Sequence, residues 1–121
     1  MAYVANNAEH YVGKKVGTGQ CVALVQAVSM APNTGSWHAG VQVLKATPGT
    51  ITKGTVIATM VDDHYPNHAH GNHAAIYLSH DSQGIQVIDQ WVGQPAHYRT
   101  IHNHGDQGNP SNDAMRFYVV E

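Results

Sequence analysis

The sequence has 121 residues and a formal net charge of −2; 42% of the residues are hydrophobic and only 12% are charged. This length predicts a single domain, residues 1–121, that is large enough to bury a core. Without a surplus of basic residues, nucleic acid is not an expected partner. A single cysteine excludes an intrachain disulfide, so packing must stabilise the fold.

The beginning of the chain and its hydropathy bear on location. Residues 1–7 contain no basic side chain and no long apolar run, so they do not resemble a secretory signal. No stretch approaches the ~20 apolar residues that span a bilayer, so we expect no membrane insertion. We therefore expect synthesis in the cytoplasm without a signal peptide. A site of action elsewhere would require a separate export route.

The first half of the chain predicts three helices, at residues 7–12, 21–31 and 36–45. In the second, apolar residues recur at helical spacing, and Pro32 ends the helix because it cannot continue one. The third is predicted from Ser36 as a cap, followed by Trp37, Val41 and Leu44 at helical spacing. A helical first half is thus expected.

The second half predicts a sheet. Four segments are rich in β-branched residues or alternate in polarity: 55–61, 73–79, 85–91 and 116–120. Asp81-Ser82-Gln83-Gly84 forms a hairpin turn between the second and third of them. Residues 62–72 and 93–113 are predicted loops. Helices followed by an antiparallel sheet indicate the α+β class.

The chain's only cysteine falls where a loop becomes a helix. Gly17 and Gly19 precede it, and the helical apolar stripe begins at Cys21 itself. Free N–H groups and the positive end of the helix dipole favour a thiolate at such a position. Cys21 is therefore a candidate nucleophile. The alternative is a small apolar core residue, since free cysteines are often buried.

A nucleophilic cysteine needs an imidazole and a polar group that orients it. His73 is the best base candidate, because it opens a strand after the flexible Gly71-Asn72. Asp89 is the best third candidate, in the strand that follows the 81–84 turn. Counting outward from the turn places His73 and Asp89 at the same end of the hairpin. A register slip of one residue would put them on opposite faces.

Three segments resemble the papain-like amidases of bacterial cell walls, the CHAP and NlpC-type enzymes. They are Gly19-Gln20-Cys21-Val22-Ala23-Leu24-Val25, Gly71-Asn72-His73-Ala74-Ala75-Ile76-Tyr77 and Ile88-Asp89-Gln90-Trp91. The cysteine, histidine and polar residue follow in the order of that superfamily, over residues 10–92. Tyr11, ten residues before the cysteine, is similar to an upstream element of the NlpC-type enzymes. Asp89 departs from the pattern, because CHAP members usually have Glu there, and no clear Asn follows it.

The chain looks most like the type VI secretion amidase effectors, specifically their third family. This resemblance implies a papain-like fold and cysteine-dependent hydrolysis of amide bonds in peptidoglycan crosslinks or stem peptides. It implies a toxin that acts in the periplasm of a target bacterium after secretion, and a cognate immunity protein as partner. No cofactor is implied. The scissile bond and the identity of the third catalytic residue stay open.

Three further residues are candidates for the cleft. Gln20 is expected to help hold an oxyanion, beside the backbone N–H of Cys21. Tyr11 is expected in the cleft from the NlpC-type resemblance. Trp37 and Trp91 are expected first as core residues, with Trp91 as an alternative cleft wall near Asp89.

Ten histidines raise a metal-binding alternative. His64, His68, His70 and His73 are clustered, but their spacing matches no standard zinc motif, and Asp62 and Asp63 are the only nearby carboxylates. A histidine-rich surface loop with no metal is the favoured interpretation. His97, His102 and His104 are expected at the cleft rim or in a solvated loop.

Other functions stay possible on sequence grounds. They are a histidine-rich metal-binding protein with a structural cysteine, a non-catalytic wall-binding module of the same fold, and an acyl transferase or a peptidase acting on proteins.

Overall fold

The computed structural model describes residues 1–66, 68 and 70–121, and shows one α-helix packed on a six-stranded antiparallel sheet. The helix, α1, is Cys21–Ser29. The strands are β1 (Ala39–Gln42), β2 (Val56–Thr59), β3 (Ala74–Asp81), β4 (Gly84–Trp91), β5 (Gln94–His102) and β6 (Phe117–Val120). Their spatial order is β1-β6-β2-β3-β4-β5. The α+β class predicted from the sequence is the class observed.

Helix α1 packs over β3 and β4 because its apolar stripe faces them. Leu24 and Val25 are fully buried and join Ile76 and Ile88 in one core cluster. The helix ends where Met30 adopts a left-handed conformation, φ 60°, two residues before Pro32. The predicted helix at 21–31 is therefore confirmed. No helix in the described part of the chain is long and apolar enough to cross a membrane.

A second core cluster covers the opposite face of the sheet. Tyr77 and Phe117 are its largest strand residues, and Val43 and Ala114 close it from neighbouring 3₁₀ turns. Alternate residues of β3 and β4 therefore enter different clusters, as strand geometry requires. His73 and Asp89 lie at one end of this sheet, just before β3 begins and just before β4 ends.

The register of the β3–β4 hairpin changes at a bulge. Asp81 lies opposite Gly84 at the turn, as predicted, and His80 lies opposite Ile85. Beyond the bulge between Tyr77 and Ser79, Ile76 lies opposite Ile88. Without that extra residue Ile76 would face the next residue along β4, and His73 would project from the other face than Asp89. The bulge therefore places His73 and Asp89 on one face.

The third predicted helix, residues 36–45, is wrong. The segment contains β1 with short 3₁₀ turns at Thr34–Ser36 and Val43–Lys45. Trp37 is fully buried and its indole N–H donates to the Pro32 carbonyl at 2.9 Å, whereas Val41 is 47% exposed. The helical spacing therefore marks no buried stripe, and pairing with β6 satisfies the backbone instead.

The predicted loop at 93–113 is also wrong in its first half, which forms β5. This strand pairs along β4 at the edge of the sheet. Pro95 is tolerated because an edge strand has no neighbour on one side. An exposed edge strand carries many polar residues, so the composition of this segment predicted a loop.

The remaining predictions agree with the structure. The predicted strands at 55–61, 73–79, 85–91 and 116–120 correspond to β2, β3, β4 and β6, and the predicted helix at 7–12 is a 3₁₀ helix at Ala8–Tyr11. The predicted loop 62–72 contains residues 67 and 69, which lie outside the described residues.

Candidate functional site

Cys21 is the first residue of α1 and opens onto a cleft of about 640 Å³. The preceding Gln20 is extended, so the chain turns into the helix at the cysteine. The N–H groups of Cys21 and Val22 precede the first hydrogen bond of the helix, which the Ala23 N–H donates to the Gln20 carbonyl at 3.1 Å, so these two are the donors available to the cleft. The cleft is lined by Gln20, Cys21, Val22, Thr34, Tyr65, Pro66, Asn72, His73, Trp91 and Val92.

His73 lies between Cys21 and Asp89. Its Nε2 is 2.7 Å from Asp89 Oδ2, so Nδ1 is the ring nitrogen that remains available to the Cys21 thiol. Thr59 holds the His73 backbone: its hydroxyl accepts from the His73 N–H at 3.1 Å, and its own N–H donates to the His73 carbonyl at 2.9 Å. His73 is therefore buried, with its ring held by Asp89 and its backbone held by Thr59.

The electrostatics favour a thiolate–imidazolium pair. Burial raises the pKa of the Cys21 thiol, but the hydrogen bond and charge of His73 lower it by more, so the pKa lies below its ordinary value. Burial lowers the pKa of His73, but the hydrogen bonds to Asp89 and Cys21 raise it from 6.5 to about 9. Both shifts favour the thiolate–imidazolium form of the pair over the neutral form.

Asp89 is fully buried and has three basic side chains beside it, His73, His97 and Arg99. Burial raises the pKa of this carboxyl, but His73 and Arg99 lower it below its usual range. Arg99 Nε donates to Asp89 Oδ2 at 2.9 Å, and Arg99 Nη2 forms an ion pair with the same oxygen at 2.7 Å. His97 Nε2 lies 3.1 Å from Oδ1 without the alignment of a hydrogen bond. The buried charge is thus compensated.

Comparison with known proteins identifies the family. Residues 1–120 match the family described as "Domesticated amidase effector 2". The chain belongs to this family. It is 38% identical to a "Type VI secretion amidase effector 2 protein" of Salmonella typhi, over the whole of both chains. It is 38% identical to "Domesticated amidase effector 2" of Ixodes scapularis, over 84% of this chain and 70% of that protein.

A solved structure gives the same result. The chain resembles "Type 6 secretion amidase effector 2 (Tae2)" with a TM-score of 0.84 and 34% identity, over 98% of this chain and 94% of that one. The α+β papain-like fold and the resemblance to type VI secretion amidase effectors are confirmed. The matched effectors carry the number 2, however, where the sequence motifs indicated the third family.

Sequence reasoning missed Arg99 and misplaced His97, because both lie in β5. His97 was expected at the cleft rim or in a solvated loop, but it lies beside Asp89. Arg99 also stacks over Trp91, with its guanidinium carbon 5.3 Å from the ring centroid. The signal was their alternation with the buried Ile101, which puts all three on one face of a strand.

Gln90 projects from the opposite face of β4 to Asp89. It is fully buried, and its Oε1 accepts from the Val16 N–H at 3.0 Å. Its Nε2 donates to the carbonyls of Val16 and Gln20, both at 2.8 Å. Neighbouring residues of one strand thus hold the base on one face and the loop before Cys21 on the other. No periodic pattern in the sequence indicated this contact.

The predicted cleft residues have mixed outcomes. Gln20 and Trp91 line the cleft, and Trp91 is 42% exposed rather than buried in the core. Tyr11 does not line it, because it packs against the core cluster beneath α1. A different tyrosine, Tyr65, reaches the thiol. Among residues 1–66, 68 and 70–121, no group of three or more histidine, cysteine or acidic residues is gathered as metal ligands.

Proposed function

We propose that this chain is a cysteine-dependent amidase that hydrolyses peptide amide bonds in bacterial peptidoglycan, as a type VI secretion effector. The observation that carries the proposal is the Cys21–His73–Asp89 arrangement at a helix start, in a family of amidase effectors. The wall peptide as substrate is supported by the motif resemblance to cell-wall amidases.

The geometry supports a two-step mechanism. His73 takes the Cys21 proton, and the thiolate attacks the amide carbonyl to form a C–S bond. The carbonyl electrons move to the oxygen, which the N–H groups at the start of α1 hold, with Gln20 at the same rim. The His73 imidazolium then protonates the leaving amine as the C–N bond breaks.

The second step regenerates the enzyme. His73, now neutral, accepts a proton from water, and the resulting hydroxide attacks the thioester carbonyl. The C–S bond breaks, the wall peptide leaves as a carboxylic acid, and the proton stays with the Cys21–His73 pair. Asp89 orients the imidazole in both steps and stabilises its charge.

The proposed place of action is the periplasm of a target bacterium. An effector of this kind also reaches identical neighbouring cells, so the producing cell needs a cognate immunity protein as partner. We place its docking site over the open cleft. Outcompeting an abundant substrate requires tight binding, and nanomolar affinity, roughly −12 kcal/mol, is the expected scale. Neither nucleic acid nor membrane insertion has a part in this proposal.

The decisive experiment is digestion of purified peptidoglycan, with mass analysis of the released fragments. The wild type should cut peptide amides, whereas Cys21→Ala and His73→Ala should lose nearly all activity and stay folded. His102→Ala is the matched control, because His102 is exposed on β5. Fragment release by Cys21→Ala at the wild-type rate would refute the nucleophile.

The same digestion separates the alternatives. Iodoacetamide should stop fragment release, and EDTA should leave it unchanged, because the proposed chemistry uses a thiolate and no metal. The opposite pattern would favour a histidine-rich metal protein. Binding to peptidoglycan without cutting would favour a wall-binding module.

A test in cells addresses location and partner. The chain is directed to the periplasm of a susceptible bacterium, with and without the product of the gene adjacent to its own. Lysis that requires Cys21 and is prevented by the neighbouring product would support the effector proposal. A harmless protein in the periplasm would contradict it, whatever the result with purified peptidoglycan.

A further inference from the structure

We propose that Tyr65 is a catalytic residue whose hydroxyl donates a hydrogen bond to the oxyanion formed at Cys21. The inference rests on the proposed amidase function and adds a side-chain donor to the N–H groups at the start of α1. Tyr65 lies in the segment between β2 and β3, outside all three motifs that indicated the site.

The Tyr65 hydroxyl lies beside the nucleophile. The Tyr65 hydroxyl oxygen is 3.8 Å from Cys21 Sγ, within hydrogen-bond range for sulfur, and Tyr65 lines the same cleft. Within the part of the chain that the structure describes, the thiol is its only hydrogen-bond partner. A half-buried phenol usually satisfies its hydroxyl, so this one is directed at the nucleophile.

The Tyr65 ring is held in place by its packing against Trp37. Tyr65 packs edge-on against Trp37, with ring centroids 5.1 Å apart and an interplanar angle of 66°. Trp37 is itself fully buried and bonded to the Pro32 carbonyl. The hydroxyl is therefore held in place before a substrate arrives, which is the property that makes an oxyanion donor effective.

The protonation state is consistent with a donor role. Burial and the adjacent Cys21 charge raise the pKa of the Tyr65 phenol far above its ordinary value. The hydroxyl thus keeps its proton throughout the range in which the Cys21–His73 pair is charged. His73 approaches the sulfur as the proton-transfer group, and Tyr65 supplies a second, non-titrating donor.

The reaction geometry makes the oxyanion the natural acceptor. Once a carbonyl carbon is bonded to Sγ, its oxygen lies one bond farther from the sulfur. A hydroxyl 3.8 Å from the sulfur can then meet that oxygen at the roughly 2.7–3.1 Å of an oxyanion contact. The bond is stronger in the transition state than with the neutral carbonyl, so it should raise kcat rather than affinity.

The test compares Tyr65→Phe with Tyr11→Phe. Both remove one phenol oxygen and keep the ring, but Tyr11 is half-buried against the core cluster and does not line the cleft. Tyr65→Phe should lower kcat for a peptidoglycan peptide roughly 100-fold with little change in KM, the cost of one oxyanion donor. Tyr11→Phe should keep the wild-type kcat. Wild-type kcat in Tyr65→Phe would overturn the proposal.

A substrate-independent measurement separates this proposal from the amidase proposal. The rate of Cys21 alkylation by iodoacetamide is followed against pH in the wild type and Tyr65→Phe. Losing a donor to the thiolate should move the midpoint of the profile to higher pH. If the wild type cuts no peptidoglycan, the amidase proposal fails. Whatever the result with peptidoglycan, an unshifted alkylation profile would overturn the contact between the Tyr65 hydroxyl and the Cys21 thiolate.

Discussion

Replacing Gln90 by leucine tests whether β4 positions the loop before the nucleophile. The substitution keeps a buried side chain of similar size and removes both the donor and the acceptor of the amide. The N–H of Val16 then loses its partner, whereas the carbonyls of Val16 and Gln20 still accept from the N–H groups of Gly19 and Ala23. Val16 is buried, so its N–H stays unpaired away from water.

The magnitude follows from this one orphaned group. A buried polar group without a partner costs about 1–3 kcal/mol, so Gln90→Leu should destabilise the fold by about 2 kcal/mol. That is a substantial share of the 5–15 kcal/mol, roughly, that stabilises a typical domain. For a chain of this size we expect the melting temperature to fall by about 8 °C. The loosened loop should also lower kcat about tenfold, because misplaced reacting groups slow the chemical step.

Thermal unfolding followed by circular dichroism measures the effect, with Gln86→Leu as control. Gln86 lies on the same strand, but it is exposed and its Oε1 accepts only from the Thr100 hydroxyl. The control should therefore change stability by no more than about 0.5 kcal/mol. Equal melting temperatures for the two variants would refute the positioning role of Gln90. Normal kcat in a destabilised Gln90→Leu would limit that role to stability.

Two further predictions concern the charges around the base. The raised pKa of His73 contributes stability that is fully present below pH 6.5 and is lost as the pH rises through about 9. The His73 imidazolium is lost over the same range, so kcat/KM should fall on this alkaline limb. Asp89→Asn removes a charge that raises this pKa and should move the limb to lower pH; an unmoved pH–rate profile would contradict the assignment. Arg99→Met should destabilise by about 3 kcal/mol, because it leaves a buried carboxylate with fewer partners. Arg116→Met should change stability by no more than about 1 kcal/mol, since its contact with Asp106 is on the surface; equal melting temperatures would show that Arg99 does not compensate Asp89.

The sequence by itself determined the parts of this protein that local patterns encode. The apolar stripe from Cys21 and the stop at Pro32 predicted α1, because helical periodicity and a proline act within a few residues. Alternation and a turn predicted the β3–β4 hairpin in the same way. The candidate nucleophile, base and third residue followed from their places at the ends of these elements, and the order of motifs indicated the superfamily.

Only the tertiary structure decided which elements meet and in what register. β1 and β5 depend on pairing with β6 and β4, and β5 brings Arg99 to Asp89. The bulge before Ser79 decides that His73 and Asp89 share a face, since one residue of slip reverses every side chain beyond it.

The same reason explains why Tyr65, and not the predicted Tyr11, lines the cleft. Tyr11 was indicated by its distance along the chain from the cysteine, yet it packs against the core cluster outside the cleft, and Tyr65 reaches the thiol across 44 residues of sequence. Local periodicity sets which face of an element is apolar, but contacts between distant elements arise from the packing of the whole chain. Pairwise proximity of that kind carries no signal in one short stretch of sequence.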